Sequence, residues 1–366
     1  MEKLKAILKE FGIVGVKKIA PFGTGLINST YKVDSAKMGG FLLQKLNLVA
    51  LPNIERVLLN IEAVGEYLKG LGEPCLLLQK TKSGKLCVND GAGFVYRVYP
   101  FIENSVSYDF SCDPKVIFEV AYGFGRFDKL VKGIRSGAVK ISDEHFHDSE
   151  YKYQQFKIAV QKDLAGRKKD AEAEILEAEN LILYAKSKGV DLFKISSLMN
   201  AKKLEVQVVH NDTKLNNCLL DKNNNYLCVV DLDTCMPGLV INDFADGVRY
   251  IANCATEDEE DLSKVSVNFS SYSAFAEGFF KGLDYQITSS ERELLATSVI
   301  SIAFELGCRF LADYLNGDVF FRVSDSRPKL NLIRARVQFA YCKALIDNLQ
   351  KEEDIIKLAL TKAGKP

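Results

Sequence analysis

The 366-residue sequence has no surplus of charge of either sign, with 48 Lys and Arg against 48 Asp and Glu. A polyanion partner such as nucleic acid is bound by neutralising many phosphates, which calls for a basic excess, so no nucleic-acid partner is expected. Histidine is scarce, at three residues. The nine cysteines at 75, 87, 112, 218, 228, 235, 254, 308 and 342 are odd in number and form no C-x-x-C pair. Neither a zinc site nor a disulfide framework fits that pattern, and the thiols read as small buried hydrophobes in a reducing compartment. Long uncharged apolar runs are missing too, since no window approaches the ~18 residues of a membrane span. Met1-Glu2-Lys3-Leu4-Lys5 leads into a charged amphipathic stretch rather than a signal peptide. The expectation is a cytoplasmic protein with no membrane partner.

What is present is an ordinary globular balance, 47% hydrophobic and 26% charged, in a chain long enough for two or three lobes. Residues 1–103 read as strand-rich: Lys17 to Phe22, Ser29 to Val33, Phe41 to Leu46 and Phe94 to Ile102 are short β-branched or aromatic runs between polar turns. Within them Pro52 to Leu68 has a helical apolar period. Residues 104–366 read as mostly helical. The patterns cover Pro114 to Phe127, Ser149 to Lys188 with a break near Gly166, and roughly 241–254, 262–282, 290–314 and 327–349. Between them Val206 to Val209 and Tyr226 to Val230 are strand-like, and each runs straight into a polar loop. The fold class is α+β, with a small β-rich lobe followed by a larger helical one.

The chemistry is concentrated in those two loops. Val208-Val209-His210-Asn211-Asp212 continues to Asn217, five residues after Asp212, and Cys228-Val229-Val230 delivers Asp231-Leu232-Asp233. Alone, each polar residue here reads equally well as a turn residue or a cap. Together, at these spacings and behind apolar strands, they form the pattern of a kinase catalytic loop. Asp212 is then the base, and Asn217 and Asp231 are ligands of Mg²⁺ held with ATP. Hard oxygen ligands suit a magnesium ion between phosphates, and a carboxylate suits the acceptor hydroxyl. The segment Phe22-Gly23-Thr24-Gly25-Leu26 reads either as a phosphate-covering hairpin or as a plain β-turn. In Leu43-Gln44-Lys45 successive side chains take opposite faces, so either Gln44 or Lys45 meets the phosphates. Glu62 on the following helix is a candidate partner for that residue, or a solvated surface group. Backbone near Pro100, Phe101 and Ile102 is expected to meet the adenine.

His210-Asn-Asp212-Thr-Lys-Leu-Asn-Asn217, Asp231-Leu-Asp233-Thr-Cys-Met-Pro-Gly238 and Asn242-Asp243-Phe-Ala-Asp246-Gly-Val-Arg249 resemble the aminoglycoside phosphotransferase and choline kinase superfamily. Tyr96-Arg97-Val-Tyr99-Pro-Phe101, Phe146-His147-Asp148-Ser149 and Gly307-Cys-Arg309 through Gly317-Asp318 are most similar to its N-acetylhexosamine 1-kinases. The resemblance implies a two-lobed protein-kinase-like fold. It also implies phosphate transfer from Mg-ATP to the anomeric hydroxyl of N-acetylglucosamine or N-acetylgalactosamine. Asp212 is then the base and Arg309 a sugar contact, although on the residues alone Arg309 reads equally as a helix-surface ion pair. Gln44 stands where most superfamily members carry Lys or Arg, and Leu26 where some have His. A kinase of another small alcohol, such as choline, homoserine or an aminoglycoside, is the alternative. A non-catalytic nucleotide-binding scaffold would not need Asp212, Asn217 and Asp231 together.

Overall fold

The computed structural model describes residues 2–23, 27–321, 323–324 and 326–362. Its first hundred residues build one antiparallel sheet from β1 (Val16–Pro21), β2 (Ser29–Ser35), β3 (Gly39–Lys45), β4 (Val88–Asn89) and β5 (Val95–Pro100), in spatial order β1-β2-β3-β5-β4. Strand alternation gives this sheet two different faces. Phe41, Leu43, Tyr96 and Val98 bury one face with Ile7 and Leu8 of α1 (Glu2–Glu10), Phe11 and Ile13. Leu42 and Tyr99 turn the other way and join the large core.

Helix α2 (Ile54–Gly70) carries Val57, Ile61, Val64 and Leu68 into that same large core. Each such side chain contributes roughly 1.5–3 kcal/mol when removed from water. The Asn60 amide adds a polar tie, donating to the carbonyls of Lys140 at 2.7 Å and Cys235 at 3.2 Å. The sheet lobe is thus packed through α2 against the segment that carries Asp231 and Asp233.

The remainder is mostly helical: α3 (Pro114–Val131), α4 (Ser149–Lys162), α5 (Glu172–Ser187), α6 (Lys194–Asn200), α7 (Val240–Ile251), α8 (Phe269–Gly282), α9 (Ser289–Arg292), α10 (Leu295–Asn316), α11 (Leu330–Asp347) and α12 (Leu349–Thr361). Starts follow their caps: Asp113 accepts from the Lys115 amide ahead of α3, Asp148 from Tyr151 ahead of α4, and Asn268 from Ser271 ahead of α8. The α4 helix stops at left-handed Asp163, and α10 stops at Gly317 (φ 97°). Helix α10 is long and apolar enough to cross a membrane by length and composition, but 83% of its apolar window is buried within the chain.

Helices α3 and α8 approach each other at backbone distance. A Cβ at Gly125 would lie 2.1 Å from the Phe279 carbonyl oxygen, and one at Gly278 would lie 2.2 Å from that of Phe118. Only glycine permits that contact.

The element pattern differs from the sequence expectation in places. The 262–282 helix begins only at Phe269, because Asn268 caps it. The 290–314 pattern is split into α9 and α10, and α6 and α12 had no clear periodic signal. All nine cysteines are free thiols.

Candidate active site

Two short antiparallel strand pairs frame the loop that carries Asp212. β6 (Gln207–Val209) pairs with β9 (Met236–Gly238), and β7 (Cys218–Leu220) pairs with β8 (Tyr226–Val229). The catalytic-loop segment 210–217 leaves β6 and returns into β7.

Buried partners hold that loop from below. His210 has no exposure and its ring meets Phe124 and Phe127 of α3 edge-on. Its Nε2 donates to the Val230 carbonyl at 3.0 Å, and its Nδ1 accepts from the Asp212 amide at 3.2 Å. Asp243 of α7 accepts from the amides of His210 and Asn211, both at 2.7 Å. Asn211 is left-handed (φ 65°), which lets the chain turn so that both amides reach one carboxylate. Thr213 donates its hydroxyl to the Asp243 carbonyl at 2.6 Å, and its amide reaches Asp246 at 3.2 Å. Burial pushes the Asp128 carboxyl well above its usual range, and neighbouring Asp243 raises it further.

Above this support lies Asp212, its side chain 25% exposed. Lys214 Nζ lies 2.9 Å from Oδ1, and Asn217 Nδ2 donates to Oδ2 at 2.8 Å and to the Asp212 carbonyl at 2.9 Å. Burial alone would push this carboxyl up, but the Lys214 ammonium, the His210 ring and the Asn217 amide hold it below its ordinary value. Asp212 is an ionised acceptor at neutral pH. Lys214 is raised in turn, because Asp212, Glu257 and Asp246 outweigh its burial.

Asp231 sits across from it in left-handed conformation (φ 60°, ψ 61°). Burial, together with the nearby carboxylates of Asp233 and Asp212, raises it to about 7, against the opposing pull of Arg97 and Lys214. A divalent cation would offset the mutual repulsion of these carboxylates. Asn217 commits its amide N–H to Asp212, which turns its carbonyl oxygen away from that residue. Among the described residues no three His, Cys, Asp or Glu side chains gather closely enough to hold a metal unaided. The donor set fits a magnesium ion, which takes one or two protein oxygens and completes its shell from phosphates and water.

On β3, Gln44 and Lys45 take opposite faces. Gln44 Nε2 donates to Thr30 at 3.1 Å and its Oε1 accepts from Arg97 Nε at 2.8 Å. Lys45 does not share that face: its ammonium lies 3.4 Å from the Phe94 ring centre, because successive strand residues point oppositely. Of the two, Gln44 is the one that shares a face with Arg97 and Asp233. Arg97 stands opposite Gln44 in register, is fully buried and pairs with Asp233. Asn28 donates to the other Asp233 oxygen at 2.9 Å. Gly23 is left-handed (φ 76°) beside Phe22, whose ring meets Phe101 at 5.8 Å, whereas Gly25 and Leu26 lie outside the described residues. Phe101 and Ile102 follow directly after β5, with the Phe101 amide on the Gly40 carbonyl at 2.9 Å. Glu62, half-buried, pairs with Lys80.

A second charged cluster borders the loop. His147 Nε2 contacts the Asn211 carbonyl at 3.1 Å, and Nδ1 lies 3.5 Å from Glu305. Glu305 also lies 3.7 Å from Arg309 one helical turn on. Burial would lower the His147 pKa, but Glu305 raises it overall. Arg309 is largely enclosed, its guanidinium 5.3–5.7 Å from the rings of Phe146, Phe320 and Phe321. Both readings of Arg309 keep support here: an ion pair exists, and it sits in an aromatic frame beside the catalytic loop. Arg97, Lys214, Asp128 and Glu305 were not singled out from sequence. Lys214, two residues beyond Asp212, was the one that loop position could have flagged.

A five-stranded antiparallel sheet lobe, a helical lobe and a loop-borne Asp and Asn between them define the protein-kinase-like fold of small-molecule kinases. A family model, the phosphotransferase enzyme family, matches residues 18–268, and the chain belongs to that family. Solved structures share the fold at low identity. An amicoumacin kinase, solved with AMP-PNP, Ca²⁺ and Ami, is 15% identical with a TM-score of 0.56, covering 91% of this chain and 92% of its own. A microcompartment-associated aminopropanol kinase is 15% identical with a TM-score of 0.58, covering 94% and 96%. Choline kinase from Streptococcus pneumoniae is 13% identical with a TM-score of 0.55, covering 93% and 99%.

Proposed function

We propose that this phosphotransferase moves the γ-phosphate of ATP to the C1 hydroxyl of a free N-acetylhexosamine, giving the sugar 1-phosphate. The observation that carries the kinase part is the carboxylate of Asp212, kept ionised between Lys214 and Asn217 within one loop of Asp231. An acceptor hydroxyl placed against Asp212 can release its proton to that carboxylate as its oxygen bonds to the γ-phosphorus and the bond from that phosphorus to the β–γ bridging oxygen breaks, releasing ADP. Asn217 and Asp231 would hold Mg²⁺, which supplies charge neutralisation on the phosphates. His210, Asp243 and Thr213 keep the loop rigid, so Asp212 needs no rearrangement to accept a proton.

The acceptor follows from the resemblance around Arg309 and from the chemistry beside it. Arg309, Lys152, Glu305 and Asp143 mix donors with acceptors, which suits hydroxyl and amide groups better than an ammonium. A hemiacetal hydroxyl is also more acidic than an ordinary alcohol, which makes a single carboxylate a sufficient base. Groups that bind the 2-acetamido substituent would penalise sugars lacking it, since they would remain buried and unpaired.

The test is an acceptor panel with Mg-ATP: N-acetylglucosamine, N-acetylgalactosamine, glucose, galactose, choline, homoserine and an aminoglycoside, plus 1-O-methyl glycosides of the active sugars. Free N-acetylhexosamines should be turned over fastest and their methyl glycosides should be inert. Equal turnover of the glycosides rules out C1. A best rate with choline or homoserine removes the hexosamine assignment and leaves the phosphotransferase standing.

A further inference from the structure

We propose that Arg97 supplies the positive charge that meets the nucleotide's phosphates, and that Gln44 is the residue that positions it. The inference rests on the ATP-phosphotransferase reading of the cleft. That reading expects a cation on β3, and this chain does not place one there. Gln44 is neutral, and Lys45 lies on the opposite face over Phe94.

The cation comes instead from the neighbouring strand. Antiparallel register sets Arg97 of β5 directly against Gln44. Gln44 Oε1 accepts from Arg97 Nε at 2.8 Å, and Gln44 Nε2 is itself anchored on Thr30 at 3.1 Å. This chain of contacts fixes the guanidinium plane. Its Nη1 reaches Asp233, two residues beyond Asp231, and Asn28 behind the Gly-rich turn donates to the second Asp233 oxygen at 2.9 Å. Arg97 of β5 and Asn28 therefore converge on one carboxylate beside the magnesium-suited site, with Gln44 of β3 acting through Arg97.

A guanidinium offers five N–H groups in a planar fork. Among the described residues, Gln44 and Asp233 engage two of them. The remaining donors suit phosphate oxygens, for which bidentate Arg geometry is well matched. Asp233 keeps the buried charge compensated and aimed, since an unpaired charge at no exposure would be strongly disfavoured. Because Arg97 has no exposure in this arrangement, it meets the phosphates only when the cover over it opens, and Gln44 acts through it.

The competing role is a strut that only fastens the sheet to Asp233, and phosphate counting separates the two. Calorimetric titration of the full chain with AMP and ADP in Mg²⁺ should give tighter binding of ADP in the wild type. In Arg97→Met the affinity for ADP should fall about 10–100-fold, the size of a lost charge-assisted contact, with AMP changing far less. Arg97→Lys and Gln44→Leu keep a positive charge on β5 and should each lower the ADP-to-AMP preference about 3–10-fold. They serve if the methionine variant fails to fold. An equal loss of AMP and ADP affinity in Arg97→Met, or an unchanged preference in both milder variants, makes Arg97 a strut and overturns the proposal. A wild type that gains nothing from the second phosphate removes the ATP reading itself, and the proposal with it. None of these readouts depends on which acceptor is right.

Discussion

Replacing Glu352 with glutamine should stabilise this protein, and the gain should grow with pH. Glu352 lies on α12 with no exposure, and neither carboxyl oxygen has a hydrogen-bond partner among the described residues. The hydroxyls of Tyr272 and Tyr341, whose titration it influences, are likewise buried without partners. Burial, with a smaller push from Glu353, raises its pKa from 4.5 to about 9. The unfolded chain releases this proton above 4.5, whereas the folded chain keeps it until about 9. The folded state binds more protons through that window, so stability is full below 4.5 and falls as pH rises. Each unit of separation is worth about 1.4 kcal/mol, which sets an upper bound of about 4 kcal/mol at pH 7.5. Glutamine keeps the shape and removes the proton linkage. Urea unfolding of the wild type and Glu352→Gln at pH 5 and pH 8 should show a small difference at the lower pH and one of about 1–4 kcal/mol in favour of Gln at the higher. A variant less stable than wild type at pH 8, or a gap of equal size at both pH values, would refute the reasoning.

Asp212→Asn should lower turnover about 10²–10⁴-fold with ATP affinity nearly unchanged, and single-turnover kinetics with a nucleotide titration checks both. Asp231→Ala and Asn217→Ala should each shift the Mg²⁺ dependence of the rate to higher concentration; unchanged titrations in both would move the metal elsewhere, with Asp233 the next candidate. Arg309→Ala should raise the acceptor KM well above any change in the ATP KM, and equal changes would leave Arg309 with its Glu305 pairing alone. Gly278→Ala puts a methyl 2.2 Å from the Phe118 carbonyl and should destabilise by at least about 1–3 kcal/mol in thermal or urea unfolding.

How much of this was legible in the sequence depends on how local each signal is. The Asp212 to Asn217 spacing and the strands behind it lie within one short stretch, so pattern alone placed them together in the cleft. The same holds for β1, β2, β3 and β5, whose alternation and turn residues mark them within a residue or two. Arg97 was invisible as a cleft residue because its partners, Gln44 and Asp233, are 53 and 136 positions away. Only the register of β5 on β3 brings them together, and that register is set across the sheet. Gln44 and Lys45 stayed alternatives in the sequence for a related reason: alternation says they differ, but which face lies towards Arg97 and Asp233 is decided by what packs beneath. Helix α12 was missed because Glu352, a polar residue, occupies a core position and breaks the apolar period. Asp128 looks like one more charged residue on α3, until its burial next to Asp243 shows otherwise.

The glycine contact between α3 and α8 reaches further than packing. Phe124 and Phe127, the rings on which His210 rests, flank Gly125 on the same helix, and Gly125 touches the α8 backbone. How closely two helices sit on the far side of α3 therefore sets the height of the imidazole, and through its Nδ1 the height of the Asp212 amide. A misplacement of about 1 Å in a reacting group can slow an enzyme about a hundredfold. Glycine at 125, 278 and 282 thus links the packing of these helices to the loop that carries Asp212, so a methyl group added there should alter turnover as well as stability.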